Sequence, residues 1–234
     1  PLIKTKWGQK APYNNLCPYD EDEKKRTVTG CVATTMAQIM KFWNYPVNGR
    51  GEKTHTHPFL KYGALHADFG NTTYDWEHMT NEYNQNSTEK EIKAVATLMY
   101  HCGVALSMIY GVQASGALTE EIANSLKSYF MYDANARMIV RSDYDDNIWT
   151  DMLKKNLDNS QPMPYSGGNH SFICDGYDTD GRFHFNLGWE GKSNGYYYID
   201  SIATYYFNVK QKAITDIKPS KGLKSQVALL KPLE

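Results

Sequence analysis

The chain has 234 residues, of which 41% are hydrophobic, and its 25 basic and 26 acidic side chains leave a formal net charge of −1. This length provides the core of one large domain or of two lobes that share a cleft. The balanced charge argues against nucleic acid as a partner, since that calls for a clustered basic face, and no apolar run approaches the roughly 20 residues of a membrane-spanning helix.

The first half of the chain is predicted to be mainly helical. The predicted helices are, in chain order, 31–43, about 88–100 and about 120–129. Apolar residues surround the axis of the first, which indicates a buried helix. Thr88 and Glu91 match a capping box at the start of the second, and Gly103 is expected to close it. The remainder is predicted to be loop, apart from one short strand near 74–76.

The second half is predicted to be mainly strands. One more helix is expected over about 146–157, after a strand near 136–141. The other expected strands are 163–165, 170–177, 182–186, 196–200, 204–217 and 225–231. Helices first and strands later indicate an α+β fold of two subregions, with about 1–135 mainly helical and about 136–234 mainly β.

A lone cysteine lies at the expected start of the first helix. In the stretch Thr29-Gly30-Cys31-Val32, the cysteine directly follows a glycine. A thiol at a helix N-terminus faces unpaired backbone N–H groups and the positive end of the helix dipole, and both favour the nucleophilic thiolate. Taken alone, this stretch is equally compatible with a small buried residue at a helix start.

A histidine and an asparagine follow in the order that cysteine chemistry needs. His170 lies at the start of a predicted strand, after a glycine-rich bend, and Asn186 ends the next strand. A histidine can take the proton of a thiol and later protonate the leaving amine, and an asparagine can hold the second ring nitrogen. The order Cys31, His170, Asn186 is that of papain-type peptidases.

Several segments of the chain together resemble the streptopain family of bacterial secreted cysteine peptidases. The matching segments are Tyr13-Asn14-Asn15-Leu16, Thr29-Gly30-Cys31-Val32-Ala33-Thr34, Ala37-Gln38-Ile39-Met40-Lys41, Asn44-Tyr45-Pro46, His170-Ser171-Phe172 with Asp175-Gly176, and Asn186-Leu187-Gly188-Trp189. The resemblance implies a papain-like fold, with an active-site cleft between a helical subdomain and an antiparallel β subdomain. It also implies Cys31 as the nucleophile, His170 as its partner and Gln9 as the side-chain donor of the oxyanion hole.

Two residues depart from the usual sequence of the family after Asn186. Leu187 stands where a tryptophan is usual, and Glu190 stands where a glycine is usual. Trp189 alone is therefore expected to shield the contact between the asparagine and His170.

The resemblance also implies substrates and partners. Polypeptide substrates are expected, with an apolar residue at the second position before the cut in a pocket whose walls are the loops 110–119 and 163–169. Gly168 and Asn169 are expected among the substrate-binding residues. The precursor is expected to carry an N-terminal propeptide, with no pro-domain in this chain. We expect a secreted monomer that binds no nucleic acid and has no membrane span.

No cofactor and no metal are expected. His55, His57 and His66 lie in a polar stretch without acidic or cysteine partners at a recognised metal-ligand spacing, which predicts surface positions. The other cysteines have no Cys-x-x-Cys pair, so neither a zinc site nor a disulfide framework is indicated. Cys102 and Cys174 are expected to be buried free thiols.

The sequence is therefore interpreted as a secreted cysteine endopeptidase, a single mature catalytic domain over residues 1–234. An acyltransferase or amidase with the same Cys–His chemistry is one alternative, because the sequence does not separate water from another acyl acceptor. A non-catalytic binding or adhesion domain on a peptidase scaffold is the other. The presence of Cys31, His170, Asn186 and Gln9 argues against the second alternative.

Overall fold

The computed structural model describes residues 1–56, 61–203 and 206–220. The α-helices of this part are α1 (Cys31–Trp43), α2 (Glu89–Ala105), α3 (Glu121–Phe130) and α4 (Asp146–Asp158). The strands are β1 (Tyr19–Asp20), β2 (Lys25–Arg26), β3 (Glu52–His55), β4 (Leu65–Asp68), β5 (Arg137–Val140), β6 (Met163–Gly167), β7 (His170–Tyr177), β8 (Phe183–Asn186), β9 (Gly195–Tyr197) and β10 (Lys212–Thr215). The predicted α+β class is confirmed. Within these ranges no helix is both long and apolar enough to cross a bilayer.

Helix α1 is buried between other layers, as its apolar sequence predicts. Residues 32–40 are all buried, and the helix packs against α2 on one side and β6 and β7 on another. Asn44 ends the helix in a left-handed conformation with φ 44°, and its N–H donates to the Lys41 carbonyl. Because α1 contacts both the other helices and the sheet, its first residue lies where the two meet.

The capping box of α2 is confirmed, and its predicted end is wrong. Glu91 N donates to Thr88 Oγ1 at 3.3 Å, and Thr88 N donates to Glu91 Oε2 at 2.7 Å. The helix continues past Gly103 to Ala105. Gly103 leaves room for the Tyr110 hydroxyl, which a Cβ at this position would meet. The glycine therefore serves close packing instead of helix termination.

The second half of the chain forms a six-stranded sheet in the order β5-β10-β6-β7-β8-β9. Every neighbouring pair in it is antiparallel. The long strand β7 lies between β6 and β8 and is buried over most of its length. Helix α4 packs against β7, and a hydrophobic cluster links this helix to the strands around it.

The structure differs from the predicted elements mainly in the loop-rich stretches. The strand predicted near 74–76 is wrong, since Trp76–His78 forms a 3-10 helix. The antiparallel pair β3 and β4 has no counterpart among the predicted elements, because β3 is largely polar and short. Of the predicted strand 204–217, the described part, residues 206–217, contains only β10. Residues 204–205 and the predicted strand 225–231 lie outside the described residues. The subdomain division near residue 135 stays a prediction.

Candidate active site

Cys31 is the first residue of α1 and is half-buried. Gly30, which precedes it, has φ 86°, and a Cβ there would lie 2.9 Å from both Met108 Cε and the Ser115 carbonyl oxygen. Only glycine therefore suits this entry into the helix. Among the described residues no side chain caps the helix start, and its first turn holds no acidic residue. The first-turn N–H groups are thus available to an anion that forms beside Cys31.

The environment of the thiol does not by itself produce a thiolate. Burial raises the pKa of Cys31 above its ordinary value, and the backbone N–H groups of Ser171, Val32 and Cys31 itself act in the opposite direction. The expectation that the helix start favours the thiolate is thus outweighed by burial, and the thiol needs a base. Because Ser171 directly follows His170 in the chain, the start of β7 lies beside the thiol.

The ring of His170, the first residue of β7, is held by a backbone carbonyl. Its Nε2 lies 2.8 Å from the carbonyl oxygen of Leu187. A carbonyl oxygen only accepts, so Nε2 carries the hydrogen and Nδ1 of the neutral ring remains as the acceptor. Burial lowers the pKa of His170, and the hydrogen bond to Leu187 acts in the opposite direction. Burial therefore favours the neutral imidazole, the form that can accept a proton.

Aromatic side chains stack on the His170 ring. The centroid of Trp189 lies 4.7 Å away with an interplanar angle of 28°, and that of Phe207 lies 5.2 Å away at 29°. Phe172 stacks at 5.7 Å and 26°. These rings restrict the rotation of the imidazole. Trp189 lies over His170 as expected, but the expectation that it acts alone is wrong, since Phe207 and Phe172 stack on the same ring.

The side chain of Asn186 has partners other than His170. Its Nδ2 donates to the Thr5 carbonyl at 2.8 Å and to Gln38 Oε1 at 3.3 Å, and its Oδ1 accepts from Gly188 N at 3.1 Å. Among the described residues no hydrogen bond joins Asn186 to His170. The expected contact is replaced by the backbone carbonyl of the next residue, in a turn where Gly188 has φ 69°.

Gln9 lies on the N-terminal segment that passes the start of α1. Its carbonyl accepts from Thr29 N at 3.0 Å. This bond holds the backbone of Gln9 beside the segment that leads into Cys31. The role of Gln9 as an oxyanion donor stays a prediction.

A cleft of about 340 Å³ joins the two candidate catalytic residues. One wall contains Cys31 and residues 115–120, and the other contains His170 with Gly168 and Asn169. Both loops predicted to form the substrate pocket therefore line the cleft. A peptide lying in it would contact the thiol and the imidazole at once.

A second histidine of the sheet lies away from this cleft. His184 Nδ1 donates to Asp175 Oδ1 at 2.6 Å, and Asp175 Oδ2 accepts from Ile3 N at 2.9 Å. Neither His184 nor Asp175 is among the residues that line the cleft with Cys31. The histidine that the structure brings to the thiol is thus His170.

Groups of three or more side chains that could hold a metal ion are absent from the described residues. His66 is exposed as predicted, but His55 is buried on β3, and His57 lies outside the described residues. The cysteines other than Cys31 are buried free thiols, namely Cys17, Cys102 and Cys174. The expectation for the last two is confirmed.

The profile of the Peptidase C10 family matches residues 7–197. This chain belongs to that family. The matched range contains Cys31 at the start of α1, His170 at the start of β7 and the turn that follows β8.

Two relatives show how far the likeness extends along each protein. The thiol protease/hemagglutinin PrtT of Porphyromonas gingivalis is 34% identical over 208 residues, which cover 84% of this chain and 23% of PrtT. Streptopain of Streptococcus pyogenes is 31% identical over an alignment 239 residues long, which covers 91% of this chain and 60% of streptopain. The chain thus spans less than two thirds of either relative.

Solved structures agree with the sequence comparison. Active wild-type interpain A of Prevotella intermedia superposes with a TM-score of 0.83 at 41% identity, over 91% of this chain and 92% of that one. A fragment of prointerpain A from the same organism superposes with a TM-score of 0.82 at 42% identity, over 91% of this chain and 70% of that one. The resemblance stated from the sequence is confirmed, together with the fold class.

Sequence reasoning missed several residues of the site. Leu187 lies within a matching segment, but its contact to His170 is made by the backbone carbonyl, which no side-chain pattern reveals. Phe207 stacks on His170 from outside every matching segment. Lys212 Nζ lies 3.6 Å from Glu120 Oε2 in the cleft lining. The importance of Gln38 could have been predicted from the sequence, because it is a polar residue among apolar ones in α1, seven positions after Cys31.

Proposed function

We propose that the protein is a cysteine endopeptidase in which Cys31 is the nucleophile and His170 the general base and acid. The placement of both side chains in one cleft is the observation that carries this proposal. Membership of the Peptidase C10 family supports it.

The reaction proceeds through an acyl-enzyme. The Cys31 sulfur attacks the scissile carbonyl carbon while His170 Nδ1 takes the thiol proton. The first-turn N–H groups of α1 and the Gln9 amide hold the resulting oxyanion. The C–N bond then breaks and His170 protonates the leaving amine. Water attacks the thioester, His170 takes its proton, and the acid leaves as the thiol forms again.

A nucleophile variant tests the proposal. Cys31→Ala is expected to lower peptide hydrolysis by several orders of magnitude with the fold intact, because the covalent route is lost. Cys17→Ala, which changes a buried thiol outside the cleft, is the matched control and should retain activity. Labelling of the native chain with iodoacetamide or a thiol-directed epoxide, mapped by mass spectrometry, is expected at Cys31. Substantial hydrolysis by purified Cys31→Ala protein would refute the mechanism.

The alternatives predict different products. An acyltransferase would pass the acyl group from Cys31 to an added amine even in excess water, whereas the proposed peptidase releases a free carboxylic acid. An adhesion domain would neither hydrolyse peptide nor react preferentially at Cys31. Product analysis of one labelled peptide, with and without an amine acceptor, separates these outcomes.

The remaining biological assignments belong to the proposal as well. We propose a secreted enzyme that acts on polypeptides as a monomer and is made with an N-terminal propeptide. The existence of a prointerpain A supports a precursor form by analogy.

A further inference from the structure

A buried glutamine lies two helical turns from the nucleophile. Gln38 follows Cys31 by seven residues, which at 3.6 residues per turn puts both side chains on one face of α1. Gln38 is 1% exposed. A buried amide is stable only with hydrogen-bond partners, and those of Gln38 belong to the other two segments of the site.

Gln38 holds the N-terminal segment that carries Gln9. Thr5 Oγ1 donates to Gln38 Oε1 at 2.8 Å, and Trp7 N lies 3.3 Å from the same oxygen. A backbone N–H only donates, so the oxygen of the amide faces this segment and the orientation of Gln38 is fixed. Trp7 is fully buried and precedes Gln9 by two residues.

Gln38 also holds the turn that orients His170. Asn186 Nδ2 donates to Gln38 Oε1 at 3.3 Å, and Gln38 Nε2 lies 3.5 Å from Asn186 Oδ1. Asn186 Oδ1 accepts from Gly188 N at 3.1 Å. The carbonyl of the intervening residue is the one that His170 Nε2 contacts.

We propose that Gln38 is a positioning residue that sets the imidazole and the oxyanion segment relative to the Cys31 thiol. It does so through Asn186 on one side and through Thr5 and Trp7 on the other. Its role depends on the proposed Cys31–His170 chemistry. Gln38 itself contacts no reacting atom.

Gln38→Met tests this role, because methionine has a similar length and no strong acceptor. The variant leaves Trp7 N, the Thr5 hydroxyl and one Asn186 hydrogen without an acceptor. We expect kcat to fall about a hundredfold, the effect of a small misplacement of reacting groups, with little change in KM. The acid limb of the pH–rate profile should move to lower pH, because the Leu187 hydrogen bond that raises the pKa of His170 is loosened.

Two further variants separate positioning from packing. Gln38→Glu keeps an oxygen that can accept from the same donors, and we expect it to retain more activity than Gln38→Met. Met40→Leu is the matched control, since Met40 is buried on the same helix with its sulfur beside Cys102, 3.7 Å away. It should leave both kcat and the acid limb unchanged.

Wild-type kcat and an unshifted acid limb in folded Gln38→Met would overturn the proposal. If that variant does not fold, Thr5→Val decides, because it removes one donor to Gln38 and is expected to lower kcat about threefold to tenfold. An unchanged kcat in Thr5→Val would then overturn it. Failure of the wild-type chain to be labelled at Cys31 would instead contradict the proposed function, which keeps the two failures distinct.

Discussion

Strands β7 and β8 carry one histidine each, His170 near the cleft and His184 beside the other end of β7, and different groups hold the two imidazole rings. At the cleft end, His170 bonds to a backbone carbonyl and lies against aromatic rings. At the far end, His184 bonds to the fully buried carboxylate of Asp175. A buried Asp–His pair resembles a proton-transfer unit more closely than an imidazole on a carbonyl does. Only His170, however, shares a cleft with Cys31.

The N-terminal segment explains the different tasks of the two ends. Ile3 N donates to Asp175 at the far end, and Gln9 is fixed beside Thr29 at the cleft end. The Asp175 carboxylate therefore fastens the beginning of this segment to the sheet. The histidine that can act as a base is thus identified by its position beside a nucleophile. A strong hydrogen-bond partner such as a carboxylate does not identify it.

The largest effect should separate the two histidines. His170→Gln is expected to lower kcat/KM by about 10²- to 10⁴-fold, because the glutamine side chain cannot take the thiol proton. His184→Gln should stay within about threefold of the native value, since no proton transfer is lost. The measurement is peptide hydrolysis with circular dichroism as a check on folding. Similar losses in both variants would break the comparison.

Gln9→Ala should have the next largest effect. One oxyanion-hole donor contributes about 3 kcal/mol, or about a hundredfold in turnover. Alkylation of Cys31 forms no tetrahedral oxyanion, so its rate should be unchanged. Equal losses in hydrolysis and alkylation would mean that Gln9 positions the thiolate, and loss in neither would mean that the hole is built from other groups.

Asp175→Asn should lower the stability of the protein, because Asp175 holds both His184 and the N-terminal segment. The amide nitrogen would face an N–H donor from Ile3 or from His184, which leaves a buried polar group unpaired and costs about 1–3 kcal/mol. The free energy of unfolding, measured in urea, is expected to fall by this amount, while kcat of the folded protein is retained. A loss of kcat without a loss of stability would assign Asp175 to the chemistry.

Trp189→Leu should have a modest effect at the cleft end. Loss of one stacked ring is expected to weaken the hold on His170 by about 0.5–1.5 kcal/mol, or about twofold to tenfold in kcat/KM. Tyr196→Leu is the matched control, because Tyr196 meets His184 edge-on at 5.0 Å and 67°. Parallel kinetics on both variants check the difference, and an equal decrease in the two would contradict it.

The smallest expected effect is a shift of the acid limb of the pH–rate profile of the native protein to lower pH. The rate requires a neutral imidazole, so it falls as pH drops through the pKa of His170. Burial lowers that pKa, and the limb should therefore lie below about pH 6.5, the ordinary value for histidine. Measurement of kcat/KM from about pH 4 to about pH 8 locates it. A limb above the ordinary value would show that stabilisation of the imidazolium outweighs burial.

The sequence alone predicts those site residues whose position depends on a short local sequence pattern. Cys31 after a glycine at a helix start, and His170 at a strand start, could be predicted because each depends on its nearest neighbours. The partner of His170 could not, because the side-chain amide of Asn186 and the backbone carbonyl of Leu187 belong to adjacent residues, and the sequence does not show which of the two meets the ring. The turn at Gly188 decides between them, and its geometry is set by tertiary contacts.

The misplaced elements have a similar physical origin. Gly103 looks like a helix end, but it serves the close approach of Tyr110, which only the tertiary fold reveals. The pair β3 and β4 escaped prediction because β3 lacks the alternation of a half-buried strand. Local patterns therefore predicted the residues that share the cleft, Cys31 and His170, better than the secondary structure around them.

The burial of three of the four cysteines also determines how the protein responds to oxidants. Cys17, Cys102 and Cys174 lie in the core, whereas the Cys31 sulfur faces the cleft. A sulfenic acid formed on Cys31 would thus find no accessible thiol within the chain to convert it into a protective disulfide. Added small thiols can reduce the sulfenic acid at that stage, whereas further oxidation to the sulfinic acid is irreversible.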